Sequence, residues 1–193
     1  MQQGKTLIDA AKAAGVKHFV YSSVGGAERV RGIPHFDTKW EIENHLRASG
    51  MAWTILRPTT FMDVFTMRGA SVGLGMMATA IGQEKPLQMI AVLDIGVFAR
   101  LAFDDPDTYV GQEIELAGDS LSVPRIAEVL HGAGRNGKYR RMPKLMLKAM
   151  GKESRMLFWF GESGYAADIP ALRAAHPGLL TLEDWLSVVL ETR

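Results

Sequence analysis

The stretch that decides the fold is residues 16–26, Val-Lys-His-Phe-Val-Tyr-Ser-Ser-Val-Gly-Gly. Its apolar run stops at two serines and a glycine pair, as a buried strand of a parallel α/β sheet does where it opens onto a ligand crevice. Upstream, Leu7, Ile8, Ala11 and Ala14 share one helical face over residues 4–14, and Gly15 supplies the stop. Sheets of this kind carry a phosphate-binding glycine turn after their first strand. Only one short helix precedes residue 16, so the pattern predicts a chain that begins inside a nucleotide-binding fold, past that turn. Gly25-Gly26 lacks the spacing to replace it and is expected to be a flexible turn at the strand's end.

Working outward, residues 24–32 read as a loop with three glycines and the charges Glu28, Arg29 and Arg31. Pro34 then sits near a helix start, and Phe36, Trp40 and Leu46 recur at roughly helical spacing until Gly50. Residues 53–57, Trp-Thr-Ile-Leu-Arg, form a second buried strand that Pro58 terminates. Helix, strand, helix and strand in that order imply parallel strands joined by a crossover. Further on, the pattern predicts a helical turn or two over 61–68, a strand over 87–93, and a helix running to Phe103 with Asp94 as its N-cap. Residues 104–107 read as a turn and 113–117 as a short strand. Ser122 caps a helix to about His131 with Pro124 in its first turn, and helices follow over 143–150 and 154–160. Thr181 three residues before Asp184 makes a loose capping box for a last amphipathic helix. The cluster Lys138-Tyr-Arg-Arg141 reads as a strand with solvated side chains.

At 193 residues and 47% hydrophobic, the chain suits one domain with ample core. The expected division is residues 1–85 as the second half of a Rossmann-type core and 86–193 as a mixed α/β subdomain. A net charge of +1 gives no electrostatic case for nucleic acid. No apolar run reaches the roughly 20 residues needed to cross a bilayer, and residues 70–81 are too short and glycine-rich for that role. The sequence has no cysteine, which excludes disulfides and zinc thiolates and suits a reducing cytoplasm. Its five histidines lack ligand spacing, so no metal site is expected.

Three stretches together resemble the NmrA-like family, an atypical branch of the short-chain dehydrogenases. They are His18-Phe-Val-Tyr-Ser-Ser-Val-Gly-Gly-Ala27, Pro34-His-Phe-Asp-Thr-Lys-Trp-Glu-Ile-Glu43, and Thr54-Ile-Leu-Arg-Pro58 followed by Phe61-Met62. Asp94-Ile-Gly96, Tyr109-Val-Gly-Gln112 and Ala167-Asp-Ile-Pro-Ala-Leu172 extend the likeness along nearly the whole chain. The resemblance implies the C-terminal part of a doubly wound parallel sheet with a small α+β substrate subdomain. It also implies NADP or NAD as cofactor and the activity of a reductase or a redox-sensing regulator. Because the family's glycine-loop units are not found before residue 16, weak or absent cofactor binding is expected of this chain alone. A non-enzymatic binding or regulatory module, or a fragment without function of its own, is the alternative. An opened parallel sheet implies self-association or a protein partner through its free edge.

The resemblance also selects residues. Lys39 matches the helix lysine that contacts the nicotinamide ribose in related dehydrogenases; on composition alone it is a solvated helix lysine. Four residues earlier, where those enzymes carry a tyrosine acid, stands His35, one turn away on the same helix face. His35 is either a proton donor near neutral pH or a residue lining the crevice. Ser22 and Ser23 either face the nicotinamide or satisfy the strand end. Phe61, Met62, Asp63 and Val64 match the stretch that lies over the nicotinamide, with Val64 in place of a polar asparagine. Met62, Met67, Met76 and Met77 are expected to pack a lid over the crevice. Met89, Phe98, Phe158 and Trp159 point to an apolar small-molecule substrate, or are plain core.

Overall fold

The computed structural model describes residues 1–191. Helix α1 (Gln2–Ala13) ends where Gly15 turns left-handed at φ 72°, and strand β1 (His18–Ser22) follows. Helix α2 (Pro34–Ala48) starts with proline in its first turn, where the missing N–H costs nothing. Next come β2 (Ala52–Pro58), β3 (Thr60–Phe61), a 3-10 turn (Met62–Phe65) and α3 (Ala70–Ala80). The middle of the chain forms β4 (Pro86–Ile90), α4 (Val92–Asp104), α5 (Pro106–Tyr109), β5 (Glu113–Leu116) and β6 (Asp119–Ser122). Five helices complete it: α6 (Val123–Gly132), α7 (Lys144–Ala149), α8 (Lys152–Glu162), α9 (Ile169–Ala175) and α10 (Leu182–Glu191).

One sheet has the order β1-β2-β5, all parallel, with His18 opposite Ala52 and Ile55 opposite Glu113. A second has the order β3-β4-β6, in which β4 runs parallel to β3 and antiparallel to β6. Only Thr59 separates β2 from β3, so the chain steps directly from one sheet into the other. Helices α1 and α2 cover one face of the first sheet through Ile8, Ile42, Leu46 and Ile55. Phe98 of α4 and Leu172 of α9 cover the other face with Leu56 and Leu116. The sheet is therefore doubly covered, which is why its central strand is buried from Thr54 to Pro58. A third and larger core, around Phe36, Met62, Leu74, Met89 and Trp185, joins the second sheet to α3, α6, α8 and α10.

Several local expectations are corrected. Asp94 is not an N-cap: α4 begins at Val92, and Asp94 is buried within its first turn, accepting from Leu180 N and bonded to His176 Nε2, both at 3.1 Å. It ties α4 to the segment before α10. Residues 138–141 form no strand, because that segment is laid across α3. Thr79 Oγ1 donates to Met142 O at 2.8 Å, and a Cβ on Gly75 would stand 2.2 Å from Arg140 O. Gly25 and Gly26 do open a turn after β1, but a packed one. Both are buried, Gly25 N donates to Pro58 O at 2.8 Å, and the Trp159 ring would lie 2.5 Å from a Cβ on Gly26. The methionines make no common lid, since Met62 is fully buried in the core and Met67 is 61% exposed. The capping box forms as expected: Thr181 Oγ1 donates to Asp184 Oδ2 at 2.6 Å and accepts from Asp184 N. These hydrogen bonds hold the Asp184 carboxyl below its usual range.

Candidate functional site

At the carboxyl ends of β1 and β2, where the chain passes between sheets, lies a cavity of about 410 Å³. That is the position, and within the size range, of ligand crevices in open α/β folds. Six of the residues selected from the sequence line it: Ser22, Ser23, His35, Lys39, Phe61 and Val64. Two do not. Met62 turns into the core, and Asp63 sits in the 3-10 turn with its Oδ2 buried and unpaired among the described residues. The apolar wall also differs from expectation. Met89 and Phe98 are core residues, and Phe158 and Trp159 face a separate groove, whereas Met77, expected at the crevice, encloses this cavity together with Met156, Leu157 and Phe160.

Lys39 is half-buried and donates from Nζ to the carbonyl of Ser22 at 2.8 Å, with its ammonium 5.1 Å from the centre of the Tyr21 ring. Burial lowers its pKa, and the carboxylate of Glu43 one turn further along α2 opposes that shift. His35, one turn earlier, has its pKa lowered by burial and then by the charge on Lys39. Its imidazole is therefore neutral at neutral pH, able to donate or accept one hydrogen bond but not already charged as an acid. Tyr21 is pushed up to about 12, by burial first and by Glu43 second.

Beneath the site lies an ionic network that the sequence reading missed. Glu43 is fully buried and accepts from Ser23 Oγ at 2.5 Å, Arg57 Nε at 3.1 Å, Arg57 Nη2 at 2.7 Å and Arg47 Nη2 at 2.8 Å. Arg57 reaches Glu113 at 2.7 Å and Glu28 at 3.1 Å as well. The hydroxyl of Ser23 is thus committed as a donor to Glu43, while no such bond engages the Ser22 hydroxyl among the described residues. Two further cavity residues carry polar groups. Thr60 is buried with Oγ1 lacking a well-formed hydrogen bond among the described residues, and Tyr165 stands beside it. Burial above all holds the Tyr165 hydroxyl in its neutral, donating form. Tyr165 comes from a loop more than a hundred residues beyond Thr60 in sequence, and no local pattern marks it.

The residues present suit the nicotinamide end of a dinucleotide: a lysine at the wall, a serine hydroxyl with no side-chain bond among the described residues and a threonine hydroxyl beside Tyr165, around an otherwise apolar space. Gly25 does not offer a phosphate cradle, because its amide is already bonded and aromatic rings lie across the pair. Among the described residues, no group of three or more His, Cys, Asp or Glu is placed to hold a metal ion, and no helix is long and apolar enough to cross a membrane.

The chain is similar to several characterised proteins. The NAD(P)H azoreductase of Xenophilus azovorans is 32% identical over 142 residues, covering 72% of this chain and 49% of that protein. The NmrA-like family domain-containing oxidoreductase malD of Malbranchea aurantiaca is 28% identical over 159 residues, covering 72% and 47%. The chain therefore spans about half the length of the curated relatives it matches. Among solved structures, the NADPH-dependent quinone oxidoreductase QOR2 of Escherichia coli superposes with a TM-score of 0.75 at 22% identity, over 98% of this chain and 74% of that one. NmrA, a negative transcriptional regulator solved in complex with NADP, superposes with a TM-score of 0.71 at 21% identity, over 95% and 67%. Such low identities carry the fold only. The NmrA-like family model, however, matches residues 1–186 in sequence as well, and the chain belongs to the NmrA-like family.

Proposed function

We propose that this chain forms the nicotinamide side of the cofactor and substrate crevice of an NAD(P)-dependent reductase acting on a small apolar molecule. The observation that carries this reading is the convergence of Ser22, His35, Lys39 and Thr60 on one cavity whose remaining walls are apolar. A bound reduced nicotinamide supplies hydride to the substrate. The chain's own residues do the rest. Lys39, anchored on the Ser22 carbonyl, presents its ammonium to ribose hydroxyls, and Ser22 adds a hydroxyl at the same edge. Phe61, Met156 and Phe160 shield the reacting region from water, and Thr60 with Tyr165 supplies a polar contact within that apolar wall. In this reading His35, which lines the cavity, passes a proton to the substrate after first taking one up from solvent, because its own imidazole is neutral.

The test uses nicotinamide riboside, which carries no phosphate. Titrated into the isotopically labelled protein, it should shift the amides of Ser22, Ser23, Val24 and Phe61. Lys39→Ala removes a hydrogen bond from a charged group, worth about 1.5–3 kcal/mol, and should weaken binding by roughly ten- to a hundredfold. Shifts confined to other surfaces, or unchanged affinity in Lys39→Ala, would refute the reading.

One observation favours a second reading, a redox-sensing regulator that binds the dinucleotide without turnover. His35 is uncharged at neutral pH, so the site holds no ready acid where related dehydrogenases carry a tyrosine. Cofactor binding without measurable oxidation of NADPH by quinone or azo acceptors would select it over the reductase.

A further inference from the structure

On the opposite face of α8 from the crevice is a second concavity of about 590 Å³ with different chemistry. Met156, Leu157 and Phe160 face the crevice, whereas Arg155, Phe158, Trp159 and Glu162 face this groove, so α8 is the partition between the two. The loop after β1 contributes Arg29 and Arg31, and α7 contributes Lys144 and Lys148. We infer that this groove binds a small molecule bearing a diphosphate or polyphosphate group.

The charges are the first reason. Arg29 is neutralised by Glu28 and by Glu115, which it meets at 2.9 Å. Arg31 is held rigidly by the carbonyls of Ala27 and Val30 and lies 4.9 Å over the Trp40 ring, with no carboxylate partner among the described residues. Lys144, Lys148 and Arg155 likewise have none, and Glu162 is the one acidic residue of the lining, among the described residues. Four cations without a carboxylate partner among the described residues, set against the one carboxylate of Glu162, repel each other in the absence of a ligand and form an attractive potential for a multivalent anion. A single carboxylate does not match that excess, and a diphosphate does.

Shape is the second reason. Arg155 rests against Gly32, where a Cβ would lie 3.2 Å from its Nη2; glycine at this left-handed position (φ 79°) leaves room for the guanidinium. A planar guanidinium pairs two phosphate oxygens at once, and the lysines add point charges. Ile33, Phe158 and Trp159 provide an apolar surface for the organic part of such a ligand. The volume of this open groove fits a small molecule rather than a length of nucleic acid.

Inorganic pyrophosphate is the probe, titrated calorimetrically into the 193-residue protein at low ionic strength. Saturable one-to-one binding is expected, weakening as salt is added. Lys148→Gln with Arg155→Gln should reduce affinity at least ~tenfold. Lys17→Gln, an exposed lysine outside the groove, and Lys39→Ala, in the crevice, should leave it unchanged. If the double variant folds poorly by its melting curve, Lys144→Gln alone decides, with an expected loss of about threefold. No saturation at millimolar pyrophosphate, wild-type affinity in the groove variants, loss of binding in Lys39→Ala, or tighter binding of an oligonucleotide than of pyrophosphate would each overturn the proposal.

Discussion

Replacing Glu43 by alanine asks whether the ionic network beneath the crevice holds the fold as its geometry implies. Glu43 is 0% exposed and receives four hydrogen bonds, all from Ser23, Arg47 and Arg57. Removing one partner of a buried ion pair costs about 3–5 kcal/mol, mainly because a charge is left uncompensated. Here the cations are not stranded: Arg57 keeps Glu113 at 2.7 Å and Glu28 at 3.1 Å, and Arg47 keeps Glu113 at 2.6 Å. The lower end, about 3 kcal/mol, is therefore expected. In a chain of this length each kcal/mol moves the melting temperature by about 2–4 °C, so the fall should be roughly 6–12 °C. Arg47→Ala is the comparison, because Arg47 is 23% exposed and Glu43 retains Arg57 when it is lost. It should cost only about 1 kcal/mol. Reversible urea unfolding followed by tryptophan fluorescence reads both. A loss under about 1 kcal/mol in Glu43→Ala, or equal losses in the two variants, would show that the network does not stabilise the fold in this way.

Two further perturbations follow from packing and titration. Gly75→Ala drives a methyl group to within 2.2 Å of the Arg140 carbonyl and should destabilise by about 1–3 kcal/mol, although alanine is the better helix former; a neutral or stabilising result in urea melts would contradict the close approach. His18 and His35 both have folded pKa values lowered from 6.5, His18 by burial and His35 by burial and Lys39. The unfolded chain therefore binds more protons in the window below 6.5, so their contribution is complete above it and lost as pH falls through it. The urea midpoint should drop between about pH 7 and about pH 5.5, and His18→Gln with His35→Gln should flatten that slope. A midpoint that rises on acidification, or an unaltered slope in the double variant, contradicts the sign.

The legible parts of this sequence are those in which short-range grammar and tertiary environment agree. From Leu7 to Pro58 the apolar runs, Gly15, Pro34 and Gly50 mark helix, strand, helix and strand, and the parallel register of β1 and β2 follows. Helix α3 is not legible, because Gly73 and Gly75 depress its intrinsic propensity and its residues lack a polar face. It exists because residues 138–142 lie along it, and Gly75 is what allows that approach. The same contact explains why 138–141 is not a strand. At Asp94 the apolar pair Val92-Leu93 mimics a continuing strand, whereas both side chains are exposed on the first turn of α4. Strand β6, Asp-Ser-Leu-Ser, is too short and polar to register by pattern, and only pairing with β4 defines it. In the site, Ser22, Ser23, His35 and Lys39 are local to one strand end and one helix turn, so spacing and family likeness find them. Tyr165, Phe160 and Thr60 meet only through the fold.

That division has a physical consequence along α2. His35, Lys39, Glu43 and Arg47 stand four residues apart, and each acts electrostatically on the next. Arg47 and Arg57 pair with the Glu43 carboxylate in a place where water is excluded. Glu43 then opposes the burial that lowers the Lys39 pKa, and the charge on Lys39 adds to the burial that lowers the pKa of His35. The buried end of the helix thus acts on the titration of the crevice residues alongside burial itself. A change at Glu43 acts on the site through charge as well as through stability. Glu43→Gln, which keeps the side-chain volume, should lower the Lys39 pKa further, because the carboxylate that opposes the effect of burial is gone. Direct NMR titration of the Lys39 Nζ reads that change, whereas the His35 ring titrates where Lys39 stays charged and keeps that neighbour. If the Lys39 midpoint did not move in Glu43→Gln, the ladder would be four adjacent residues and not a coupled device.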